Sequence, residues 1–193
     1  MASTSGKITP GEASPAYRAD PLEAGRLADQ LAAVVEFNGD CIISSTRDGV
    51  ITSWNRAAER LFGYTRQEII GKPGIMLSPQ DRVEETGAVM ARVRAGELVE
   101  NLETFRVRKD GSVFPVSVTV APLLDEDGEI IGTTAIPRDV TERRRAFEVA
   151  QRMAAIVETS NDAIISGTLD GTLTSCNPPA ERSYGFSSDE VMG

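Results

Sequence analysis

The sequence predicts an α+β domain built on an antiparallel sheet, and three observations lead to this prediction. Short runs rich in β-branched residues are separated by turn signals that contain glycine, such as Asp48-Gly49. Apolar residues at helical spacing are confined to the segments before, between and after these runs. The strands therefore form one sheet, with helices packed against one of its faces.

The chain begins with a segment that we expect to be disordered and then enters a helix. Residues 1–19 are rich in Ser, Thr, Gly, Pro and Ala and show no periodicity, which is typical of a disordered tail. Asp20 can cap a helix whose first position is Pro21. Apolar residues at spacings of four and three follow, so an amphipathic helix is predicted over residues 20–37.

A hairpin and several capped helices are predicted next. Residues 41–44 and 50–54 are β-rich runs on either side of Asp48-Gly49, a strong hairpin signal because the turn requires positive φ. Asn55 is a natural N-cap for a helix over residues 56–62, which Gly63 can end. Thr65 and Glu68 form a capping-box pattern, and a longer helix is predicted over residues 79–95.

The last part of this domain is predicted to be β-structure followed by a helix. Residues 99–108, 112–123 and 129–138 are three runs joined by turns that contain Asp-Gly. In the second run, valines alternate with Ser and Thr, which is typical of a half-buried strand. A helix is predicted over residues 139–160, with Asp139 or Thr141 as its cap.

An internal repeat relates the start of this domain to the end of the sequence. Residues 34–71 align with residues 156–193 without a gap, and roughly 18 of about 38 paired positions are identical. Residues 72–138 have no counterpart in the second copy. Its apolar positions Ile164, Ile165, Leu173 and Tyr184 therefore lack the strands that would cover them, and we expect residues from about 160 onward to be mobile or covered by another chain.

The composition excludes several classes of function. With 20 Lys and Arg against 29 Asp and Glu, the net charge of -9 disfavours direct nucleic-acid binding. The absence of histidine removes histidine-based catalysis, haem ligation and a phosphoacceptor histidine. Cys41 and Cys176 match neither a metal site nor a redox pair, so we expect a reduced, cytoplasmic compartment. Residues 31–35 form the longest apolar run near the start, far short of the roughly 20 residues that span a membrane.

A set of short sequence words, in a fixed order, resembles the PAS sensor-domain family. The words are Asp48-Gly49, Trp54-Asn55, Ala57-Ala58-Glu59, Leu61-Phe62-Gly63-Tyr64, Glu68-Ile69-Ile70-Gly71, Arg108-Lys109-Asp110-Gly111, Gly128, Gly132 and Arg138-Asp139-Val140-Thr141-Glu142-Arg143. Each word alone is weakly specific, but their order and spacing together are a strong signal. The similarity is complete over residues 34–143 and begins again over residues 156–193.

The resemblance implies a five-stranded antiparallel sheet in the order 2-1-5-4-3, flanked by helices. It divides the chain into a PAS domain over residues 38–138, a signalling or linker helix over 139–160 and the beginning of a second PAS domain over 161–193. Members of the family are sensory or dimerisation inputs to histidine kinases, diguanylate cyclases and phosphodiesterases, or transcription regulators. Because these residues show no catalytic constellation, we expect any enzyme activity to belong to an output domain.

A candidate pocket between the sheet and the helices is the first site that this resemblance suggests. Its lining would be Trp54, Phe62, Ile69, Met76, Met90, Val93, Phe105, Val116 and Val118. Haem-binding members commonly use a histidine on the long helix, and cysteinyl-flavin members carry a cysteine just after the equivalent of Gly71; this sequence has neither. We expect the nine residues to form an ordinary core without a cofactor or metal, with a non-covalent flavin or a small apolar ligand as the alternative.

Two further sets of residues are candidates for signal transmission. In the family, the equivalents of Asp139, Val140 and Thr141 connect the last strand to the outgoing helix. Apolar residues at heptad-like spacing predict that two copies pair through their helices, and the alternative for the outgoing helix is that it rests on its own sheet. These positions are Leu27, Leu31 and Val34 in the first helix and Phe147, Ala150, Ala154 and Val157 in the outgoing helix.

The sequence thus predicts a sensory module of a signal-transduction protein, in which binding of a ligand or partner is relayed through the outgoing helix. Two alternatives stay open at this point. One is a redox or light sensor with a non-covalent flavin, and the other is a homodimerisation module without a ligand.

Overall fold

The computed structural model describes residues 21–187 and residue 190, in two compact units that divide between Thr141 and Glu142. The tail predicted over residues 1–19 and the predicted cap Asp20 lie outside the described residues. None of the described helices is both long enough and apolar enough to cross a bilayer.

The first unit is built on one five-stranded sheet. Its elements are α1 (Pro21–Phe37), β1 (Ile43–Thr46), β2 (Ile51–Trp54), α2 (Arg56–Phe62), α3 (Arg66–Ile69), two 3-10 turns (Gly74–Leu77 and Gln80–Arg82), α4 (Val83–Arg94), β3 (Val99–Val107), β4 (Val113–Leu124) and β5 (Ile130–Asp139). All strand pairs are antiparallel and the order is β2-β1-β5-β4-β3. The predicted α+β class and the 2-1-5-4-3 order are confirmed.

The hydrophobic core lies on one face of this sheet. In β4, Phe114, Val116, Val118 and Val120 are buried, and the residues between them are half-buried. Because alternate residues of a strand point to the same face, these four side chains face the helices together. They pack with buried residues of β2, α2, α3 and α4, including Trp54, Ala58, Phe62, Ile69 and Val93.

Local capping signals set the ends of the short helices. The Asn55 side chain accepts a hydrogen bond from the backbone N–H of Ala58, and Gly63 ends α2 with a φ of 79°. Thr65 and Glu68 form the predicted capping box at α3. Hydrogen bonds from Lys109 and Thr65 lower the pKa of the Glu68 carboxyl to about 2. The bond from Lys109 also connects α3 to the turn between β3 and β4.

The helix predicted over residues 79–95 is divided in the structure. Pro79 has extended backbone geometry, and Arg82 has φ -116° and ψ 7°, outside the helical range. The segment therefore forms a 3-10 turn first, and α4 begins only at Val83. This break places α4 across the sheet, above β3, β4 and β5.

The elements of the second unit are α5 (Thr141–Thr159), whose first residue still belongs to the first unit, the hairpin β6 (Ile165–Gly167) and β7 (Leu173–Cys176), and α6 (Pro178–Tyr184). It repeats the β1-β2-α2 pattern of the first unit. Phe62 is 1% exposed, whereas its counterpart Tyr184 is 62% exposed, and Ile165 is also exposed. Ile164 and Leu173, in contrast, are half-buried. Two of the four apolar positions of the second copy thus lack cover within the described residues, while the mobility expected from about residue 160 onward stays a prediction.

Candidate ligand cavity and relay junction

A cavity of about 200 Å³ lies between the core face of the sheet and the helical layer of the first unit. All five strands contribute to its sheet side, and α2, the 3-10 turn at Gly74–Leu77 and α4 contribute to the other side. Its apolar lining includes Ile43, Ile51, Phe62, Leu77, Met90, Val118, Val120 and Ala135, and its polar lining includes Ser45, Ser78, Thr86, Arg94, Arg106 and Thr133. The lining is mainly apolar with a few polar groups, as is usual for small-molecule sites.

The structure brings three of the nine predicted pocket residues to this cavity, and these are Phe62, Met90 and Val118. Four others, Trp54, Ile69, Val93 and Val116, are buried in the close-packed core beside it. Met76 is exposed. Phe105 pairs with Pro115 across β3 and β4 and so shares the sheet face opposite to the core.

Trp54 supports the corner between α2 and α3. Its indole N–H donates to the Tyr64 carbonyl at 3.0 Å, and its ring lies 5.4 Å from that of Phe62. The Phe62 ring in turn lies 5.6 Å from the Phe114 ring in an edge-to-face arrangement. These contacts give the indole a packing role next to the cavity.

Cys41 is a buried thiol at the beginning of the sheet. Burial, together with the nearby charge of Asp40, raises the pKa of its thiol to about 12. At neutral pH the reactive thiolate is therefore very scarce. Cys41 therefore packs as a small residue of the core.

Asn55 connects three elements, a role that its position as a helix cap did not predict. Its side-chain oxygen accepts from the backbone N–H groups of Ala58 and Ile42, at 3.0 and 3.1 Å. Its amide nitrogen donates to the carbonyls of Val35 and Asp40, both at 2.9 Å. The end of α1, the start of β1 and the start of α2 are thus joined by one buried side chain.

Asn177 makes the same four bonds in the second unit. Its oxygen accepts from Ile164 and Ala180, and its nitrogen donates to Val157 and Asp162, at distances of 2.9 to 3.1 Å. Helix α5 is therefore joined to the second copy by the same side-chain hydrogen bond that joins α1 to the first copy. Both copies have Asn at this position, although the residue just before it differs, Trp54 in the first copy and Cys176 in the second. This shared Asn is the sequence signal that could have revealed the network.

The predicted relay residues form a bonded junction between β5 and α5. The Arg108 guanidinium donates to the Asp139 carboxylate at 2.7 Å and to the Leu61 carbonyl of α2 at 2.9 Å. The second oxygen of Asp139 accepts from the Thr141 N–H at 2.8 Å, where α5 begins. Val140 between them is buried. Sequence analysis missed Arg108 because its partner lies 31 residues away.

An open cleft of about 460 Å³ lies on the surface beside this junction. Its charged residues are largely paired with one another, as Arg108 is with Asp139 and Arg138 is with Asp40. Charged side chains that form ion pairs with each other and are also hydrated gain little from contact with a ligand. The cavity under the sheet is less open than this cleft and is therefore the better candidate for a binding site.

A five-stranded antiparallel sheet in the order 2-1-5-4-3, with helices packed against one face, defines the PAS fold. The chain belongs to the PAS domain family, whose model matches residues 39–142 and 161–193, more than half of the sequence. Within the described residues, no group of three or more Cys, Asp or Glu side chains is placed to hold a metal ion.

Several signal-transduction proteins are similar to this chain. Two-component system protein A of Emericella nidulans is 37% identical over 115 residues, 58% of this chain and 16% of that protein. Signal transduction histidine-protein kinase AtoS of Escherichia coli is 31% identical over 128 residues, 65% of this chain and 21% of that protein. The crystal structure of a PAS domain from Colwellia psychrerythraea is 27% identical with a TM-score of 0.57, covering 61% of this chain and 99% of that one. The chain thus spans about a fifth or less of these two curated relatives.

Proposed function

We propose that this chain is a sensory input module that relays binding of a small molecule or partner through α5 to an output activity. Binding at the cavity alters the packing between the sheet and helices α2 and α4, and the change reaches α5 from α2 through Arg108, Asp139 and Thr141. The output is of the kind that the resemblance to PAS domains implies, namely a histidine kinase, a diguanylate cyclase or phosphodiesterase, or a transcription regulator. We assign no catalytic step to these residues, and we place the module in the cytoplasm because Cys41 and Cys176 are free thiols.

The observation that carries this proposal is the junction between the sheet and α5. The Arg108 guanidinium donates to the Leu61 carbonyl of α2 and to the Asp139 carboxylate. The same carboxylate accepts from the N–H of Thr141, the first residue of α5. Phe62, the next residue of α2, lines the cavity. A displacement of α2 on ligand binding therefore acts directly on the partner of Asp139, which is the property that a relay requires.

The relay is tested with benzene, a neutral probe that the cavity has room for, since an apolar cavity of about 150 Å³ already binds it. We expect benzene to raise the melting temperature and to change hydrogen exchange of the amides of residues 145–149 at least twofold. Arg108→Met should leave benzene affinity unchanged but abolish the change in α5, since the side chain that joins α2 to Asp139 is lost. Amide exchange measured by mass spectrometry, with and without benzene, reads both effects.

Two variants serve as controls for this experiment. Arg138→Met removes a more exposed ion pair of the same strand, with Asp40, and should preserve the response of α5. Ala135→Leu fills the cavity from the sheet side and should abolish benzene binding. The relay is contradicted if benzene fails to bind the unmodified chain, or if it binds and α5 exchange stays constant.

A non-covalent flavin is the weaker alternative, because the cavity is too small for it. Sites for cofactors and drug-sized ligands occupy about 300–1,000 Å³. The cavity here measures about 200 Å³. The residues present therefore do not accommodate an isoalloxazine ring without a rearrangement of the core, and a smaller ligand fits better.

The proposal includes pairing of two copies through helices α1 and α5. Apolar side chains along both helices are exposed, with Leu31 at 58% and Phe147 at 63%. Leu27 and Val34 of α1 are likewise exposed, and so are Ala150 and Ala154 of α5, while Val157 is half-buried. Contiguous exposed apolar faces of this kind mark interaction surfaces.

Introducing negative charges on these apolar faces should dissociate the two copies. We expect the double variant Leu31→Glu, Phe147→Glu to weaken dimerisation at least tenfold, because two carboxylates per copy would be buried in an apolar interface. Sedimentation equilibrium across a concentration series measures this. Ala33→Glu, off the stripe of α1, is the matched control and should have little effect; a monomeric unmodified chain would refute the pairing.

A further inference from the structure

Arg106 is a charged residue on the interior face of the sheet. It pairs with Phe114 in the register of β3 and β4, and Phe114 is buried in the core. Cross-strand partners point to the same face, so the Arg106 side chain is directed inward. It is half-buried, and it lines the cavity beside the apolar residues described above.

The guanidinium of Arg106 has little compensation within the protein. One of its N–H groups donates to the Phe105 carbonyl at 2.9 Å, and a guanidinium has five such groups. No carboxylate of the described residues forms an ion pair with Arg106. The Glu85 carboxylate attracts the Arg106 guanidinium electrostatically but does not form an ion pair with it. The Glu85 carboxylate accepts a hydrogen bond from Arg82 at 2.8 Å instead. Burial lowers the pKa of Arg106, and Glu85 partly opposes this effect.

The other polar groups of the cavity are satisfied or exposed, and the carboxylate of the lining, Asp48, is among the exposed ones. The hydroxyls of Ser45 and Thr133 bond each other at 2.8 Å, and those of Ser78 and Thr86 do so at 2.9 Å. Arg94, the second arginine of the lining, is exposed and donates to a backbone carbonyl of the loop after β1. Arg106 is thus the strongest polar group directed at the cavity that still has donors to offer.

We propose that the cavity binds a small monocarboxylic acid with an apolar or aromatic body, whose carboxylate is held by Arg106. This rests on the proposed sensory function and names the chemistry of its ligand. A guanidinium and a carboxylate form two parallel hydrogen bonds, and each neutralises the other away from water. A single arginine compensates one negative charge, so a phosphate dianion or a dicarboxylate would leave a charge buried without a partner.

The volume limits the ligand to about the size of benzoate. An apolar cavity of about 150 Å³ binds benzene, and the additional space here matches one carboxylate group. The mainly apolar lining, with Phe62, Met90 and Val118, suits a ring or a short branched chain. Longer acyl chains exceed the space available.

Benzoate and benzyl alcohol, which differ in charge but hardly in size, test this inference on the whole chain. We expect benzoate to bind, and Arg106→Met to weaken its binding at least tenfold, because a hydrogen-bonded charge pair is lost. Arg106→Lys should fall between the two, because it keeps the positive charge but loses the two parallel hydrogen bonds of a guanidinium. Benzyl alcohol should bind the unmodified chain and Arg106→Met equally. Arg94→Met, which changes the other arginine of the same cavity, should weaken benzoate binding much less than Arg106→Met does, because Arg94 is exposed and already donates to the Arg47 carbonyl. Titration followed by calorimetry at constant ionic strength gives these values.

The possible results separate this inference from the proposed function. If benzene and benzyl alcohol bind but benzoate does not, the assignment of the ligand is wrong and the cavity stays a binding site. Equal benzoate affinity in Arg106→Met, or loss only in Arg94→Met, overturns the role of Arg106. If none of the three probes binds, the sensory function of the cavity fails as well. Urea unfolding monitored by fluorescence shows that each variant is folded before it is titrated.

Discussion

Asn55→Ala is expected to lower the free energy of unfolding of the first unit by about 3 kcal/mol, since the substitution removes four hydrogen bonds at once and leaves their partners unpaired. Two backbone N–H groups, of Ile42 and Ala58, and two carbonyls, of Val35 and Asp40, lose their partner. Asn55 is itself buried, so water cannot readily replace its side chain. Equilibrium urea unfolding measures the loss, and Trp54, the single tryptophan, makes fluorescence specific for this unit.

Two substitutions calibrate this result. Asn38→Ala removes one exposed bond, to the Asp40 N–H, and should change stability by less than about 0.5 kcal/mol. Asn177→Ala removes the equivalent network of the second unit and should leave the Trp54 transition unchanged. If Asn55→Ala is no more damaging than Asn38→Ala, Asn55 is only a local cap, and the connection between α1 and the sheet has another basis.

Features whose partners lie close in sequence were predictable with good accuracy. The cap at Asn55, the glycine that ends α2 and the box formed by Thr65 and Glu68 all involve groups three or four residues apart. The alternation in β4 correctly predicted which of its residues face the core. Such features depend on backbone geometry within one turn or one strand, which the sequence contains directly.

The strand order could not be obtained from periodicity. Alternation assigns the faces of a strand but says nothing about its neighbour in the sheet. The order 2-1-5-4-3 came from the resemblance to PAS domains. The contacts that connect distant strands were missed for the same reason, as with Arg108 and Asp139, whose ion pair joins β5 to the turn after β3.

The lining of the cavity was the hardest part to predict. Apolar spacing identifies which residues point inward, but it does not show where packing leaves a gap, so core residues such as Trp54 and Val116 were grouped with lining residues such as Met90. A charged residue in a strand suggests a solvated face, and Arg106 was therefore missed. A stricter reading of alternation from Thr104, which is buried, would have placed Arg106 on the interior face.

Gly132→Ala is expected to be as damaging as the loss of Asn55, although it adds only one methyl group. Gly132 of β5 pairs with Thr46 of β1 in the centre of the sheet. A Cβ atom at this position would lie 2.2 Å from the Ser45 carbonyl oxygen and 3.3 Å from the Ser45 carbonyl carbon. Both are backbone atoms, so the clash is relieved only if β1 and β5 move apart. Overpacking of this kind costs about 3 kcal/mol, and Trp54 fluorescence in urea measures it.

Gly87→Ala is the matched control, because the same change has the opposite sign there. A Cβ atom at Gly87, inside α4, meets no atom within 4 Å. Alanine has a higher helix propensity than glycine, so the free energy of unfolding should rise by about 0.5–1 kcal/mol. The pair of variants thus separates close approach of two strands from any general cost of replacing glycine. Equal effects at the two positions would show that β1 and β5 are not in such close contact, and hence that the sheet side of the cavity is more pliable than the geometry indicates.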